Sequence, residues 1–213
     1  MSYPSHSSRG FAVKAAIFEG ALAIVALVAG ALLGVDPMAT LESNWTAIGW
    51  GLVATLPPVA ILAAVTWFSL GFVRRLLRVV DELLVPAMRS CSVAELGIIA
   101  LLAGLGEELL FRGAIQASAA QWVAEPLGPW LGLAVASIVF GLAHLITPAY
   151  AVFATLMGAY LGLVWMWSGN LMVPIVAHAM YDFLALVYLV KWRDITSRGH
   201  DTADRNDTSD APP

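Results

Sequence analysis

The sequence predicts an all-α fold: a polytopic bundle of about six membrane-crossing helices with both termini in the cytoplasm. Three observations predict it. Of 213 residues, 60% are hydrophobic and 12% charged, whereas soluble domains run nearer ~45–50% and ~25%; so little charge cannot coat a water-facing globule. The apolar residues fall into runs of roughly the ~17–25 residues that cross a bilayer. The basic residues collect on one side of the topology those runs define.

The first run covers residues 11–35 and is polar only at Lys14 and Glu19, near its start. An Ala29-Gly30-Ala31 triplet lies inside the run instead of after it, so a cleaved leader is not expected. The second run, 48–73, contains Pro57-Pro58 and should kink there, because proline has no N–H for the helical ladder. Residues 74–88 read as a cytoplasmic amphipathic stretch, with Arg74, Arg75, Arg78, Asp81 and Glu82 among Leu and Val. The third run, 93–123, would be roughly 46 Å as a straight helix, too long for one crossing. Gly104, Gly106 and Gly113 offer places to bend, and Gln116 and Gln121 suggest a far end at the interface. The fourth, fifth and sixth runs cover 130–146, 150–167 and 171–190, separated by Thr147-Pro148 and Ser168-Gly169-Asn170, breaks that force antiparallel neighbours. The spacings Gly30-x-x-x-Gly34 and Gly158-x-x-x-Gly162 read as close helix packing. Residues 1–190 form a single membrane domain on this reading, and 191–213 a polar, disordered cytoplasmic tail.

Loop charge orients the chain. With the N-terminus inside, Arg9, Lys14, Arg74, Arg75, Arg78, Arg89, Lys191, Arg193, Arg198 and Arg205 all lie on the inner side, while the outer loops (36–47, 124–129 and 168–170) carry no Lys or Arg. The eleventh basic residue, Arg112, lies inside the third run. The acidic balance, with a pI near 5.5, provides no field for nucleic acid. A lone Cys91 allows neither an intrachain disulfide nor a cysteine zinc cluster, and reads as a buried or interfacial spectator thiol.

Deep in the runs stand Glu107, Glu108, Arg112, His144, His178 and Asp182. Each charge at a bilayer centre costs at least ~2.5–3.5 kcal/mol on insertion scales, so the group needs a reason. Glu108 and Arg112, four apart, can neutralise each other on one helix face. Glu107 points about 100° away and cannot share that arginine, while His178 and Asp182 are again four apart. Two histidines, two glutamates and an aspartate on three helices predict one hydrated polar pocket. Such a set suits hydrolysis: a carboxylate takes a proton from water, and imidazoles share the water or stabilise an oxyanion. Two histidines and a carboxylate with an open position also suit a divalent metal. At ~1.5 Å per residue, His144 and His178 lie ~22 Å and ~10 Å from the outer ends of their runs, so convergence requires a vertical offset.

Three ordered motifs bear a family resemblance. Glu107-Glu108-Leu109-Leu110-Phe111-Arg112 fits EExxxR, Phe140-Gly141-Leu142-Ala143-His144 fits FxxxH, and His178-Ala179-Met180-Tyr181-Asp182 fits HxxxN/D. In this order, over about 93–190, the chain resembles the CPBP family of CAAX proteases and bacteriocin-processing enzymes, also called type II CAAX or ABI proteases. The resemblance implies an intramembrane endopeptidase of the cell membrane, acting on a membrane-anchored or hydrophobic peptide within the lipid bilayer. It implies that Glu107 and His144 activate water, that His178 and Asp182 stabilise the oxyanion or bind metal, and that Glu108, Arg112 and Phe140 are supporting residues. A divalent metal, zinc first, held by Glu107, His144 and His178, is one implied cofactor; a metal-free glutamate mechanism is the other. Asp182 stands where asparagine is common, and an ionised carboxylate cannot donate to an oxyanion.

Other readings remain. Gly104-Leu105-Gly106-Glu107 and Tyr181-Asp182 mimic the GxGD and YD pairs of aspartyl intramembrane proteases, but leave both histidines idle. Ser137 and Ser168 lack a GxSx setting, and HExxH is absent. An ion-coupled transporter, or a membrane scaffold of the bacteriocin-immunity kind, would also keep a polar pocket.

Overall fold

The structure, a computed structural model, describes residues 6–68, 82 and 85–192. The predicted amphipathic stretch 74–88, all but Glu82 and 85–88, and the predicted tail from residue 193 lie outside the described residues. Every described element is helical: α1 (His6–Leu33), α2 (Trp45–Phe68), the short α3 (Val85–Met88), α4 (Val93–Glu108), α5 (Ala117–Ala119), α6 (Gly128–Ala143), α7 (Pro148–Ser168) and α8 (Met172–Leu186). Two π-helical turns, Leu109–Gln116 and Val187–Trp192, and a 3₁₀ turn, Ala120–Trp122, extend α4, α8 and α5.

Local sequence sets the boundaries. Ser92 and Glu95 form a reciprocal capping box that starts α4, with Ser92 N–H donating to Glu95 Oε2 at 2.7 Å. Thr147 caps α7 with Pro148 in its first turn, and Gly169, at φ +63°, ends it in the left-handed conformation. The helix α2 continues through Pro57-Pro58. Pro58 cannot donate to the Ala54 carbonyl four residues back, and the Tyr160 hydroxyl of α7 donates to that oxygen instead, at 2.6 Å.

The chain is a multi-pass membrane protein, but the expected count of six crossings is corrected. Among the described residues four helices are long and apolar enough to cross: Gly10–Leu33, Trp45–Ala64, Pro148–Ser168 and Met172–Trp192. The fourth run makes only the 16 residues of α6, ~24 Å against a core of ~30 Å. The third run holds its α-helical form for 16 residues, then passes into the π turn just after two glutamates and just before Arg112. Side chains on the outside suit lipid: Ile17, Ile24, Leu32 and Ile61 are exposed, Leu32 by 83%. The inside is the reverse, with Glu108, Arg112 and Gln116 among the most deeply buried side chains. Gln116 therefore does not mark the interface as expected, whereas Gln121 is exposed.

Helix α8 stands at the centre, packed against α2, α4 and α7, while α1 lies along α4 and its π turn, and α6 along α7. Two of the glycines in the third run admit close neighbours. A Cβ on Gly104 would press on the Ala179 backbone of α8, and one on Gly106 would overlap the Glu19 carbonyl of α1. Cys91 is buried with Met88, Leu96, Ile99 and Val190, as expected of a spectator thiol.

Two features set the depth of the polar groups. Trp122 and Gly128 are joined by a short loop, so Glu107 and His144, roughly 22 and 24 Å from those ends, lie at matching depth. The turn before α8 is sunk beneath the α1–α2 loop. Leu171 N–H donates to the Thr40 carbonyl at 3.0 Å, Trp165 Nε1–H to Thr40 Oγ1 at 3.0 Å, and Asn170 Nδ2 to the Glu42 carbonyl at 2.9 Å. Leu171 is fully buried. That roof supplies the vertical offset which brings His178 level with Glu107.

Candidate active site

Glu108 anchors the polar interior. Its Oε1 accepts from Arg112 Nη1 at 2.8 Å and from His178 Nδ1 at 2.7 Å. Arg112 Nη2 donates to the Gly158 carbonyl of α7 at 2.7 Å, and the guanidinium lies 5.0 Å from the centre of the Phe140 ring. The pair predicted as a local neutralisation thus ties the helices α4, α6, α7 and α8 together. Phe140 is the aromatic hub: its ring stacks on His144 at 4.5 Å and meets Phe111 and His178 edge-on at 4.8 and 6.1 Å.

Glu107 faces the other way. Its buried Oε2 accepts no hydrogen bond from the described residues. It lies 3.8 Å from His144 Nε2 and 4.0 Å from His178 Nε2. Both gaps exceed the ~2.7–3.2 Å of a direct bond, and a single water making bonds of ~2.8 Å spans either one. Asp182 Oδ2 stands 3.5 Å from His178 Nε2 and is partly exposed. The structure therefore brings Glu107, Glu108, Arg112, Phe140, His144, His178 and Asp182 into one cluster.

The hydrogen bonds also orient the rings. His144, the C-terminal cap of α6, places Nδ1 2.8 Å from the Phe140 carbonyl; a carbonyl only accepts, so Nδ1 carries the hydrogen. His178 Nδ1 is committed to Glu108 in the same way. Each imidazole thus turns Nε2 toward Glu107.

Tetrahedral coordination at ~2.0–2.1 Å places neighbouring ligand atoms ~3.4 Å apart, whereas Glu107 stands 3.8 and 4.0 Å from the two imidazole nitrogens. Among the described residues no three His, Cys, Asp or Glu side chains are grouped to hold a metal ion. Glu107, His144 and His178, the expected ligand set, converge at distances that suit a bridging water.

Two residues near the cluster lay outside the predicted site. Glu19 of α1 lies within electrostatic range of Glu107, His178 and Asp182, and its Oε2 is buried without a hydrogen-bond partner among the described residues. It was visible as a carboxyl in an apolar run, but its place near the start of the run set it aside. Tyr150, in the first turn of α7, has its ring 6.3 Å from that of His144; in sequence it is an ordinary aromatic.

Residues 89–184 match the protein family described as type II CAAX prenyl endopeptidase Rce1-like. A curated relative, "Uncharacterized protein YpbD" of Bacillus subtilis (strain 168), is 32% identical over 94 residues, which cover 43% of this chain and 43% of the relative. The match thus spans less than half the relative's length. No solved structure matches the chain. All three motifs and Tyr150 fall inside the matched segment, while α1 with Glu19 and α2 fall outside it.

Proposed function

We propose, from the match of residues 89–184 to the Rce1-like type II CAAX endopeptidase family, that the chain is an intramembrane endopeptidase working by a glutamate mechanism. The observation that carries the reading is Glu107 Oε2, buried, unpartnered among the described residues and facing two imidazole Nε2 atoms at 3.8 and 4.0 Å. One water fills that geometry. Glu107 takes a proton from it, His144 Nε2 accepts its second O–H bond, and the oxygen attacks the scissile carbonyl carbon. The carbonyl π pair moves to oxygen. His178, when protonated on Nε2 as well as Nδ1, donates to that oxyanion, its charge balanced by Glu108 and Asp182. As the C–N bond breaks, Glu107 returns its proton to the leaving amine, and acid and amine products result.

The substrate class is a membrane-anchored or hydrophobic peptide, because the cluster lies inside a lipid-facing bundle. Both termini belong in the cytoplasm of a cell-membrane protein, on the strength of the one-sided Lys and Arg distribution. The test is cleavage, by the purified full chain in liposomes, of a quenched fluorescent peptide ending in a farnesylated cysteine and three further residues. Loss of cleavage in both Glu107→Gln and His144→Ala, with helical content retained, supports the reading; undiminished cleavage in either variant overturns it.

A further inference from the structure

The cluster is rich in acceptors and short of neutral donors. Asp182, when ionised, accepts only. Arg112 has one Nη on Glu108 and the other on the Gly158 carbonyl, and both imidazole Nδ1 atoms are committed. Arg112 Nε is buried without a partner among the described residues; like protonated His178 it is a charged donor, so an oxyanion forming beside Glu107 still lacks a neutral one, where acyl-transfer sites commonly aim more than one donor.

Tyr150 has the missing donor. The Thr147 cap accepts its backbone N–H at 3.2 Å and fixes the first turn of α7. That turn sets its ring 6.3 Å from His144, tilted by 41°. Its hydroxyl lies within electrostatic range of both Glu107 and Asp182, yet makes no hydrogen bond to a described residue. The contrast is Tyr160, ten residues along the same helix, whose hydroxyl is committed to the Ala54 carbonyl. Tyr150 is half-buried; a phenol so placed usually finds a partner, and one left open within electrostatic range of a catalytic carboxylate is placed for a partner that comes with the substrate.

We propose that Tyr150 is a catalytic residue of this chain: its phenol donates a hydrogen bond to the tetrahedral oxyanion, supplying the neutral donor that Asp182 does not. The phenol keeps its proton throughout; the bonds made and broken are those of the glutamate mechanism, on which this proposal rests. The donor acts on charge that develops only in the transition state, so it governs kcat and not KM.

The test uses the full chain in liposomes and the farnesylated quenched peptide. Tyr150→Phe should lower kcat by ~10²–10³-fold, the usual cost of one oxyanion donor, with KM and melting temperature unchanged. Adding Asp182→Asn, whose amide can donate, should restore a large part of that loss. Incorporation of 2,3,5-trifluorotyrosine at position 150 keeps the ring's packing and acidifies the phenol, and should move the alkaline limb of the kcat profile to lower pH. Undiminished kcat in Tyr150→Phe, or an unmoved alkaline limb, overturns this proposal alone. Absence of cleavage by the unaltered chain overturns the endopeptidase reading, and this one with it.

Discussion

Glu107 Oε2 and His144 Nε2 stand 3.8 Å apart, too far to bond and close enough to hold one water between them. The carboxylate sits at the end of α4 and the imidazole at the end of α6, so the gap is set by helix packing and not by a flexible loop. Shortening the acid should therefore be nearly as harmful as neutralising it. Glu107→Asp withdraws the carboxylate by one methylene. It should reduce kcat by at least ~10², within the usual worth of a general base, with the melting curve unchanged. Wild-type turnover in Glu107→Asp would show that this oxygen does not position the water.

The Glu108–Arg112 pair has the opposite character. Removing one partner leaves a buried charge alone, which costs ~3–5 kcal/mol. Arg112→Met should lower unfolding stability on that scale, and Glu108→Gln should do so less, since its amide can still accept from Arg112 and His178. The double variant Glu108→Gln, Arg112→Met should be more stable than the sum of the single losses. Denaturant titration in detergent measures all three; strict additivity would mean that the two side chains do not interact.

Tyr160→Phe removes the hydroxyl that donates to the Ala54 carbonyl, which Pro58 leaves open. A buried acceptor left without a donor costs ~1–3 kcal/mol. Stability should fall by about that amount while kcat stays unchanged, because among the described residues Tyr160 bonds to Ala54 and packs with Ala47, Val164 and Val173. A fall in kcat without loss of stability would contradict the assignment.

The spacing of Glu107, His144 and His178 suits a bridging water better than a metal ligand cage. Peptide cleavage should therefore persist after dialysis against a strong chelator, and added zinc should not raise kcat. Metal content by mass spectrometry, read beside activity, checks this; activity that rises and falls with bound zinc would mean that the helices close further around an ion.

Much of this was readable in the residues, and the exceptions have physical causes. Charges in a membrane segment are costly enough that Glu107, Glu108, Arg112, His144, His178 and Asp182 declare themselves, and all six meet. Helix count differs because apolar length does not reveal a change of helix type: Leu109–Gln116 turns as a π-helix, a geometry with no sequence periodicity that short runs disclose. In sequence Gly104 and Gly106 offer places to bend, because glycine weakens a helix. Here they let α8 and the Glu19 carbonyl approach, a fact about partners distant in sequence. Glu19 was passed over for the same reason: its position near a run's start says nothing of which helix crosses there.

The bond from His144 Nδ1 to the Phe140 carbonyl has a consequence for turnover. A backbone oxygen cannot take a proton away, so whatever His144 gains at Nε2 must leave by that same atom. The ring works as a one-door vestibule: each round of catalysis is reset through the chamber shared with Glu107, and never through the protein behind it.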